Sequence, residues 1–322
     1  MIKDKVIFLA GHNGMAGSAI YNCLINSGYT NIIIRSRDEC NLEDSNQVLS
    51  LFETYRFDIV IIAAAKVGGI VANNNFPVDF LTININIQNN LIQASHKYNV
   101  GKILFLGSSC IYPKNCYQPI KEEYLLSGHL EPTNLPYSIA KITGIELCRA
   151  YNKQYNTKYL SIMPCNMYGP KDNFDRINGH VLAALIVKIH DAKINNLDAI
   201  DLLGDGTPLR EFLHTSDLAL AVKLLIELSD DDFDSLILNE VAPALINVGS
   251  GEEISIRELS LMIKDVVNYD GEIKFQDNSL NGTPRKLLDS SKMRRLGWLP
   301  QTNLKIQLLE VYSEYLNNIK ND

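Results

Sequence analysis

Apolar residues in the first half of the chain form short continuous runs, separated by longer segments of mixed polarity. A continuous apolar run of strand length is typical of a strand that is buried on both faces, as in a parallel sheet. Such runs lie at 6–10, 32–35, 59–65, 103–107 and 160–163. Helix-sized segments alternate with them, at about 15–27, 45–55, 78–98 and 137–155. This alternation predicts an α/β fold with a doubly wound, Rossmann-like parallel sheet.

The regular alternation ends after Pro164. Two turn-rich clusters follow, at 166–170 and 204–208, and each combines glycine with proline. Three later segments carry apolar residues at helical spacing and predict amphipathic helices, at 178–193, 255–268 and 303–320. We therefore expect a smaller C-terminal region that folds over the end of the sheet.

The composition of the 322 residues, 46% hydrophobic and 21% charged, is ordinary for a globular protein. A formal net charge of −7 argues against nucleic-acid binding, which depends on clustered lysine and arginine. Six scattered cysteines, with no CxxC pair and no metal-like spacing to histidine, predict neither disulfides nor a metal site. The chain has no apolar stretch of about 18 residues and no signal-peptide pattern. We expect a soluble cytoplasmic protein that binds neither nucleic acid nor membranes.

A glycine-rich loop at 11–17 follows the first predicted strand directly and opens the first helix. Gly11, Gly14 and Gly17 form GxxGxxG, a spacing variant of the dinucleotide fingerprint. The glycines allow a tight turn and close approach of the pyrophosphate, and the helix N-terminus presents free N–H groups to it. A plain strand–helix turn is the alternative, but the position at the first strand–helix junction favours a cofactor loop.

The end of the second predicted strand bears on the choice of cofactor. It has no acidic residue at its tip to bind both ribose hydroxyls, and Arg37 follows two residues after Arg35. Arginine suits a 2′-phosphate, so this pattern favours NADPH over NADH. The alternative is a solvated charge run, since Asp38 and Glu39 come directly afterwards.

Tyr137 and Lys141 stand four residues apart at the start of a predicted helix, so their side chains share one face. A nearby ammonium favours tyrosinate and would lower a pKa that is ordinarily about 10. Such a tyrosine can transfer a proton as a carbonyl is reduced. Ser108 ends the fourth predicted strand, where ligands of open α/β sheets bind, and can hydrogen-bond the same carbonyl oxygen. The alternatives are a chance surface pair and a serine that only terminates a strand.

Longer strings resemble the extended short-chain dehydrogenases/reductases, and among them the GDP-L-fucose synthases. These strings run nearly end to end, at 11–17, 63–73, 107–114, 131–134, 137–141, 166–170, 172–174, 210–214 and 282–289. They discriminate between families far better than three glycines or a Tyr-Lys pair. The resemblance implies an NADPH-dependent enzyme that reduces the C4 ketone of a GDP-4-keto-6-deoxy sugar and epimerises C3 and C5.

The resemblance also implies the residues of the site, all of which occur in this sequence. Reduction is expected from Ser108, Tyr137 and Lys141, and epimerisation from Cys110 and His180 as an acid/base pair. The expected cofactor contacts are Gly11, Asn13, Gly14, Met15, Gly17, Arg37, Leu42, Ala64, Lys141, Pro164 and His180. The expected substrate contacts are Ser109, Asn166, Lys188, Leu203, Arg210 and Lys286.

The same resemblance implies the domain organisation and the assembly. Residues 1–171 and about 212–250 are expected to form the NADP-binding domain, and about 172–211 and 251–322 the nucleotide-sugar region. A homodimer is expected, with helices of the Rossmann-like domain paired across it, among them the helix of Tyr137.

The chemistry of epimerisation fits the two implied residues. A ketone at C4 acidifies the hydrogens at C3 and C5, so inversion needs a base on one face of the ring and an acid on the other. Cysteine and histidine have ordinary pKa values of about 8.5 and 6.5, close enough to neutrality to exchange protons. The alternatives are a small buried hydrophobic side chain for Cys110 and a backbone-bonded helix-start residue for His180.

Arg210 and Lys286 are candidates to bind the GDP diphosphate, although Arg210 could instead form an ion pair with Glu211. Three positions depart from the family pattern. Asn13 and Lys188 replace expected arginines, and Leu203 replaces an expected tryptophan. The departure at Asn13 leaves more of the 2′-phosphate selectivity to Arg37, and Leu203 lies where a residue near the nucleotide sugar is expected.

Two other functions are compatible with the same residues. One is a C4-reductase of a related GDP-4-keto-6-deoxy sugar, such as a heptose, with partial epimerisation or none. A one-carbon difference changes binding in a pocket by only a few kcal/mol, so sequence motifs do not separate these substrates. The other is a non-catalytic nucleotide-binding protein of the same fold, although it would have no use for a proton relay.

Overall fold

A computed structural model describes residues 2–175, 179–238, 243–276 and 283–321. In chain order its strands are β1 (Ile7–Ala10), β2 (Ile32–Ile33), β3 (Ile59–Ile62), β4 (Lys102–Leu106), β5 (Tyr159–Pro164), β6 (Asn166–Tyr168), β7 (Ala199–Leu202), β8 (Leu209–His214), β9 (Leu245–Val248), β10 (Glu253–Ser255), β11 (Glu272–Phe275) and β12 (Arg285–Lys286). Its helices are α1 (Met15–Asn26), α2 (Ser45–Thr54), α3 (Ile70–Asn75), α4 (Pro77–Lys97), α5 (Leu135–Tyr155), α6 (Val181–Ile194), α7 (Thr215–Glu227), α8 (Asp230–Ile237), α9 (Ile256–Val267), α10 (Ser291–Arg295) and α11 (Leu304–Asn321). Gly282 and Asn178, which begin a matching string and a predicted helix, lie outside the described residues.

A parallel sheet in the order β2-β1-β3-β4-β5-β9 forms the centre of the described structure. β1, β3 and β5 are buried along their whole length, as strands covered by helices on both faces must be. Among the helices that cover the sheet, α1 packs against α7, and α4 packs against α5 and α2. This arrangement confirms the predicted doubly wound, Rossmann-like fold.

Each predicted strand of the first half is present, but two end at least two residues earlier than their apolar runs. β2 comprises Ile32–Ile33, and β3 ends at Ile62 rather than at residue 65. Ile62 is paired with Ala10, the last residue of β1, so the neighbouring strand ends at the same level. The remaining apolar residues of that run form a loop at the carboxyl edge of the sheet.

The described part of the C-terminal region forms two smaller sheets. β8 lies between the antiparallel β10 and the parallel β12 and also pairs with β6, while β7 pairs with β11. α6 and α11 both pack against α9. These elements bury a second hydrophobic cluster, which includes Phe212, Leu259 and Leu308.

The chain returns to the main core near its end. Leu288, Met293 and Trp298 belong to the hydrophobic cluster around the parallel sheet. The indole Nε1 of Trp298 donates to the Asp217 carbonyl oxygen at 3.1 Å, which ties this segment to the start of α7. No helix within the described residues is both long and apolar enough to cross a membrane.

Candidate active site

The glycine loop between β1 and α1 has the backbone geometry of a phosphate cradle. Gly11 has φ +89°, and a Cβ on it would lie 2.5 Å from the Ala64 nitrogen. A Cβ on Gly17 would overlap the Gly11 carbonyl oxygen. Gly14 stands at the N-cap of α1 and has no side chain to cap it, so the first N–H groups of α1 face the loop. The backbone requires glycine at positions 11 and 17, and it leaves donors for an anion.

His12 is a residue of this loop that the sequence argument did not single out. Its Nδ1 is buried and has no hydrogen-bond partner among the described residues. Burial lowers the pKa of the imidazole, against the opposing charge of Glu39, and Lys171 lowers it further. An orphaned polar atom and a cradle that excludes side chains together fit a bound dinucleotide. The position of His12 inside the glycine fingerprint was the one signal in the sequence that pointed to this residue.

Two further expected cofactor residues border the carboxyl edge of the sheet, together with the catalytic candidate Ser108. Ala64 follows β3, Ser108 follows β4, and Pro164 ends β5, so adjacent strands bring these three together. Asn13 is exposed and Met15 is the partly buried first residue of α1.

Arg37 and Leu42 lie beyond β2, at the side where the adenosine is expected. The Arg37 side chain is 75% exposed and forms a 2.8 Å ion pair with Glu43. Leu42 is partly buried, and its carbonyl oxygen accepts from Asn90 Nδ2 at 3.0 Å. The exposed guanidinium can reorient toward a phosphate, since a surface ion pair of this kind is weak.

Ser108 and Tyr137 are brought together at the end of β4. Ser108 caps the 3-10 helix Ser109–Ile111, and its Oγ accepts from the Cys110 backbone N–H at 3.3 Å. Tyr137 stands in the first turn of α5 with its ring edge-to-face against Phe80, at a centroid distance of 6.3 Å. The Ser108 hydroxyl lies close enough to the phenol to act on its pKa. Phe80, which is fully buried, is a second residue that the sequence argument missed.

Lys141 is buried beneath this pair. Only 3% of the residue is exposed, and its Nζ donates to the Leu106 carbonyl oxygen at 2.8 Å. The Nζ lies 4.7 Å from the Phe105 ring centroid and 6.0 Å from that of Tyr137. Burial lowers the pKa of its ammonium to about 7.

The expectation that Lys141 lowers the pKa of Tyr137 is wrong for this structure. Burial raises the pKa of the phenol well above its ordinary value, the charge of Cys110 raises it further, and the hydroxyl of Ser108 only partly opposes this. The desolvation that keeps Lys141 partly neutral also disfavours a tyrosinate. Tyr137 is therefore a protonated phenol at neutral pH, which is the form that a proton donor needs.

Cys110 and His180 occupy separate elements. Cys110 is half-buried in the 3-10 helix after Ser108, and its Sγ lies 3.8 Å from Lys286 Nζ. His180 is the N-cap of α6 and is an exposed residue. The surrounding protein atoms still desolvate the ring and lower the pKa of its imidazole. Among the described residues, no hydrogen bond or ring contact joins His180 to the other catalytic candidates.

Arg210 and Lys286 are register partners on the parallel strands β8 and β12, so both side chains project from the same face. Burial lowers the pKa of the Arg210 guanidinium, and the charges of Cys110 and Glu131 oppose that shift. The alternative ion pair of Arg210 with Glu211 is wrong. The Glu211 carboxylate points the other way and accepts from the backbone N–H groups of Gly251 and Leu288, at 2.7 and 3.0 Å.

The remaining substrate candidates fall into two groups. Ser109 is buried beside Cys110, and Asn166 on β6 donates through Nδ2 to the Glu211 carbonyl oxygen at 2.9 Å. Both therefore lie at the junction of the main sheet and β8. Lys188 on α6 donates to the Asp201 carbonyl oxygen, and Leu203 is 67% exposed after β7. These two border the outer end of the C-terminal region.

Comparison with known proteins places this geometry in a family. A sequence model of the NAD dependent epimerase/dehydratase family matches residues 7–239. The chain is 48% identical over 320 residues to the GDP-L-fucose synthase of Escherichia coli (strain K12), covering 99% of this chain and 98% of that protein. The chain belongs to the GDP-L-fucose synthase family.

Solved structures related to the family have the same fold. A GDP-6-OMe-4-keto-L-xylo-heptose reductase from C. jejuni has a TM-score of 0.91 at 33% identity, and the match covers 99% of both chains. A GDP-mannoheptose C4 reductase from Campylobacter jejuni with NADP bound has a TM-score of 0.87 at 34% identity, covering 98% of this chain and 99% of that one. Membership of the GDP-L-fucose synthase family confirms the expected resemblance, the fold and an enzyme of the epimerase/reductase class. The described residues contain no group of three or more His, Cys, Asp and Glu that could hold a metal ion.

Proposed function

We propose that this chain reduces the C4 ketone of a GDP-4-keto-6-deoxy sugar with NADPH and epimerises C3 and C5, as a GDP-L-fucose synthase does. One observation carries the proposal. A single turn after β4 presents Ser108 and Cys110 beside Tyr137, so a proton donor for a carbonyl and a thiol for carbon acids adjoin the same space. A nucleotide-binding protein without turnover has no need of this combination.

The reduction uses the phenol as the acid. NADPH, when bound, supplies a hydride to C4. Tyr137 gives its proton to the oxygen that becomes negative there, and the Ser108 hydroxyl donates a hydrogen bond to the same oxygen. Lys141 donates from its Nζ to the Leu106 carbonyl oxygen and lies beneath the phenol ring, which helps to hold the ring in place. The expected cofactor residues lie around the glycine loop and the strand ends, with Arg37 on the 2′-phosphate side.

The epimerisation uses a separate acid/base pair. Cys110 and His180 exchange protons with C3 and C5 from opposite faces of the ring, through the enol that the C4 ketone allows. Arg210 and Lys286 bind the diphosphate, because both cations project from the same face of the small sheet. Ser109, Asn166, Lys188 and Leu203 complete the substrate contacts.

The organisation of the molecule follows from the same proposal. Residues 1–171 and about 212–250 form the NADP-binding domain, and about 172–211 and 251–322 the nucleotide-sugar region. The active form is a homodimer. The protein acts in the cytoplasm, which is supported by six free cysteines, three of them buried.

A C4-reductase of a GDP-4-keto-6-deoxy heptose is the second candidate. It is supported by the TM-score of 0.91 to a solved heptose reductase at 33% identity. The hexose is favoured because the relative with 48% identity carries the name of a fucose synthase.

Turnover in heavy water separates the candidates. The protein is incubated with NADPH and GDP-4-keto-6-deoxymannose, or with the corresponding heptose, and NADPH absorbance is followed before mass spectrometry and NMR of the product. We expect NADPH loss with the hexose and deuterium at C3 and C5. NADPH loss with the heptose alone, without deuterium, would instead favour the C4-reductase. No NADPH loss with either sugar excludes both enzymes.

A further inference from the structure

The ammonium of Lys286 contacts the thiol of Cys110. Its Nζ is 3.8 Å from the Sγ, although the two residues are 176 positions apart in the chain. The expected role of Lys286 was diphosphate binding, which does not by itself account for a contact with a sulfur atom that exchanges protons with carbon.

The strand that carries Lys286 is fixed on both sides. β12 pairs with β8, and Leu288 donates to the buried carboxylate of Glu211 at 3.0 Å. Leu287 donates through its N–H to Gln118 Oε1 at 2.9 Å and accepts from the Ile120 N–H at 2.7 Å. The ammonium therefore extends from a rigid backbone rather than from a mobile loop.

The charges around Cys110 favour an anion. Lys286 approaches from β12, and Arg210 from β8 interacts with the same thiol. The group that faces Cys110 from α5 is the phenol of Tyr137, which burial keeps protonated. Glu131 is the carboxylate that interacts with Arg210, and Lys114 already neutralises it at 2.8 Å. Lys286 thus contacts the sulfur directly, the charge of Arg210 acts in the same direction, and the carboxylate that interacts with Arg210 is already paired.

We propose that Lys286 stabilises the thiolate of Cys110 and so prepares it to take a proton from C3 or C5. This role rests on the proposed epimerisation. The thiolate accepts the proton, the electron pair of the C–H bond forms the enol double bond, and the carbonyl pair moves to the C4 oxygen. A second acid then protonates the carbon from the other face and restores the ketone, so no oxidant or reductant is needed.

Site-resolved alkylation of the substrate-free protein tests this role directly. Iodoacetamide reacts with thiolates, and mass spectrometry measures the rate at each cysteine between pH 6 and 9. In Lys286→Met we expect alkylation of Cys110 at pH 7 to slow about three- to tenfold, because each tenfold loss of thiolate slows alkylation tenfold. Lys286→Arg keeps the positive charge and should restore the rate to within about twofold.

Two controls come from the chain itself. Arg285 is the preceding cation of β12, points to the other face and pairs with Glu253 at 2.8 Å, so Arg285→Met should leave Cys110 unchanged. Cys23 on α1 is half-buried and interacts with Lys223 instead, so its rate should not respond to Lys286. Cys116, on which the charge of Lys286 also acts, should slow with Cys110.

The outcomes separate this role from the proposed function. An unchanged Cys110 rate in Lys286→Met overturns the role of Lys286, whatever the enzyme turns over. If Lys286→Met does not fold, Lys286→Gln replaces it, and the same loss and the same arginine rescue are required. If the wild-type protein consumes no NADPH with GDP-keto sugars, the proposed function fails, while alkylation still decides whether Lys286 stabilises the thiolate.

Discussion

Protonation of Tyr137 and Lys141 is decided by burial rather than by their mutual charge. The buried phenol keeps its proton, and the ammonium of Lys141 has a pKa lowered to about 7. In the direction of reduction this is useful, because the oxygen at C4 needs a proton as the hydride arrives. A tyrosinate at the same place would repel the developing negative charge.

Tyr137→Phe removes this proton and leaves the ring against Phe80. We expect the rate of C4 reduction to fall about 10²–10⁴-fold, which is the usual contribution of a general acid. The NADPH dissociation constant from fluorescence titration should stay within about twofold, because the phenyl ring keeps its packing. Tyr117→Phe, at a tyrosine that is 84% exposed, is the matched control. Near-normal turnover by Tyr137→Phe would remove the phenol from the mechanism.

Many elements with a hydrophobic pattern were predictable, although β9 (Leu245–Val248) was not among the predicted strands, and elements without such a pattern were not predictable. α5 spans Leu135–Tyr155 where the sequence predicted 137–155, because its apolar residues repeat at helical spacing. β12 has only the polar residues Arg285–Lys286, so no apolar run could indicate it. α7 buries residues around much of its circumference, which removes the polar stripe that identifies an amphipathic helix.

Residues of the candidate site were likewise predictable only where a local sequence pattern locates them. Ser108 and the glycine loop were predictable because strand ends and strand–helix turns can be located in the sequence. The contact of Lys286 with Cys110 depends on the register of β12 on β8, which no local pattern specifies. Glu211 looked like an ion-pair partner of Arg210, yet alternation along the strand turns the two side chains to opposite faces.

The loop between β6 and α6, which leads to His180, contains a buried carboxylate and is joined to α11 by a second one. Asp172 is buried, accepts from the Asn173 N–H at 2.7 Å through Oδ1, and its Oδ2 has no partner among the described residues. Glu314 accepts from the Lys171 N–H at 2.9 Å. Burial raises the pKa of Asp172 to about 6, and the charge of Glu314 raises it as well, against the Asn173 hydrogen bond.

Asp172→Asn should therefore stabilise the protein at alkaline pH. The folded carboxyl keeps its proton up to about pH 6, whereas the unfolded one loses it near the ordinary pKa of 3.8, so the free energy of unfolding falls as pH rises between them. Asparagine has no proton to lose. We expect a gain of about 1–3 kcal/mol at pH 8, measured by urea unfolding, and little gain near pH 4. Asp270→Asn, at an exposed turn, should show neither effect. An equal gain at both pH values would contradict this explanation.

At the scale of the whole molecule, one carboxylate joins the two hydrophobic clusters. Glu211 is fully buried on β8, whose chain continues into α7 of the main fold. Its oxygens accept from Gly251, in the turn after β9, and from Leu288, after β12. Burial raises the pKa of Glu211 to about 7, although both N–H groups oppose the shift. The main fold and the small sheet that carries Lys286 are thus joined through the same side chain.

Glu211→Ala should therefore weaken the fold and the substrate site together. It leaves two backbone N–H groups without an acceptor, at about 1–3 kcal/mol each, so we expect the free energy of unfolding to fall by about 2–5 kcal/mol in urea titrations. Below the unfolding transition, the KM for the GDP sugar should rise, because β12 holds Lys286. The NADPH dissociation constant should stay within about twofold, because the glycine loop lies elsewhere.

Glu253→Ala is the matched control. Glu253 is the register partner of Glu211 on β10. Its ion pair with Arg285 is a surface contact that contributes less than about 1 kcal/mol. Two results would show that Glu211 supports the fold in general and not the placement of Lys286. One is an equal loss of the free energy of unfolding in the two variants. The other is an NADPH affinity that falls in parallel with the affinity for the sugar.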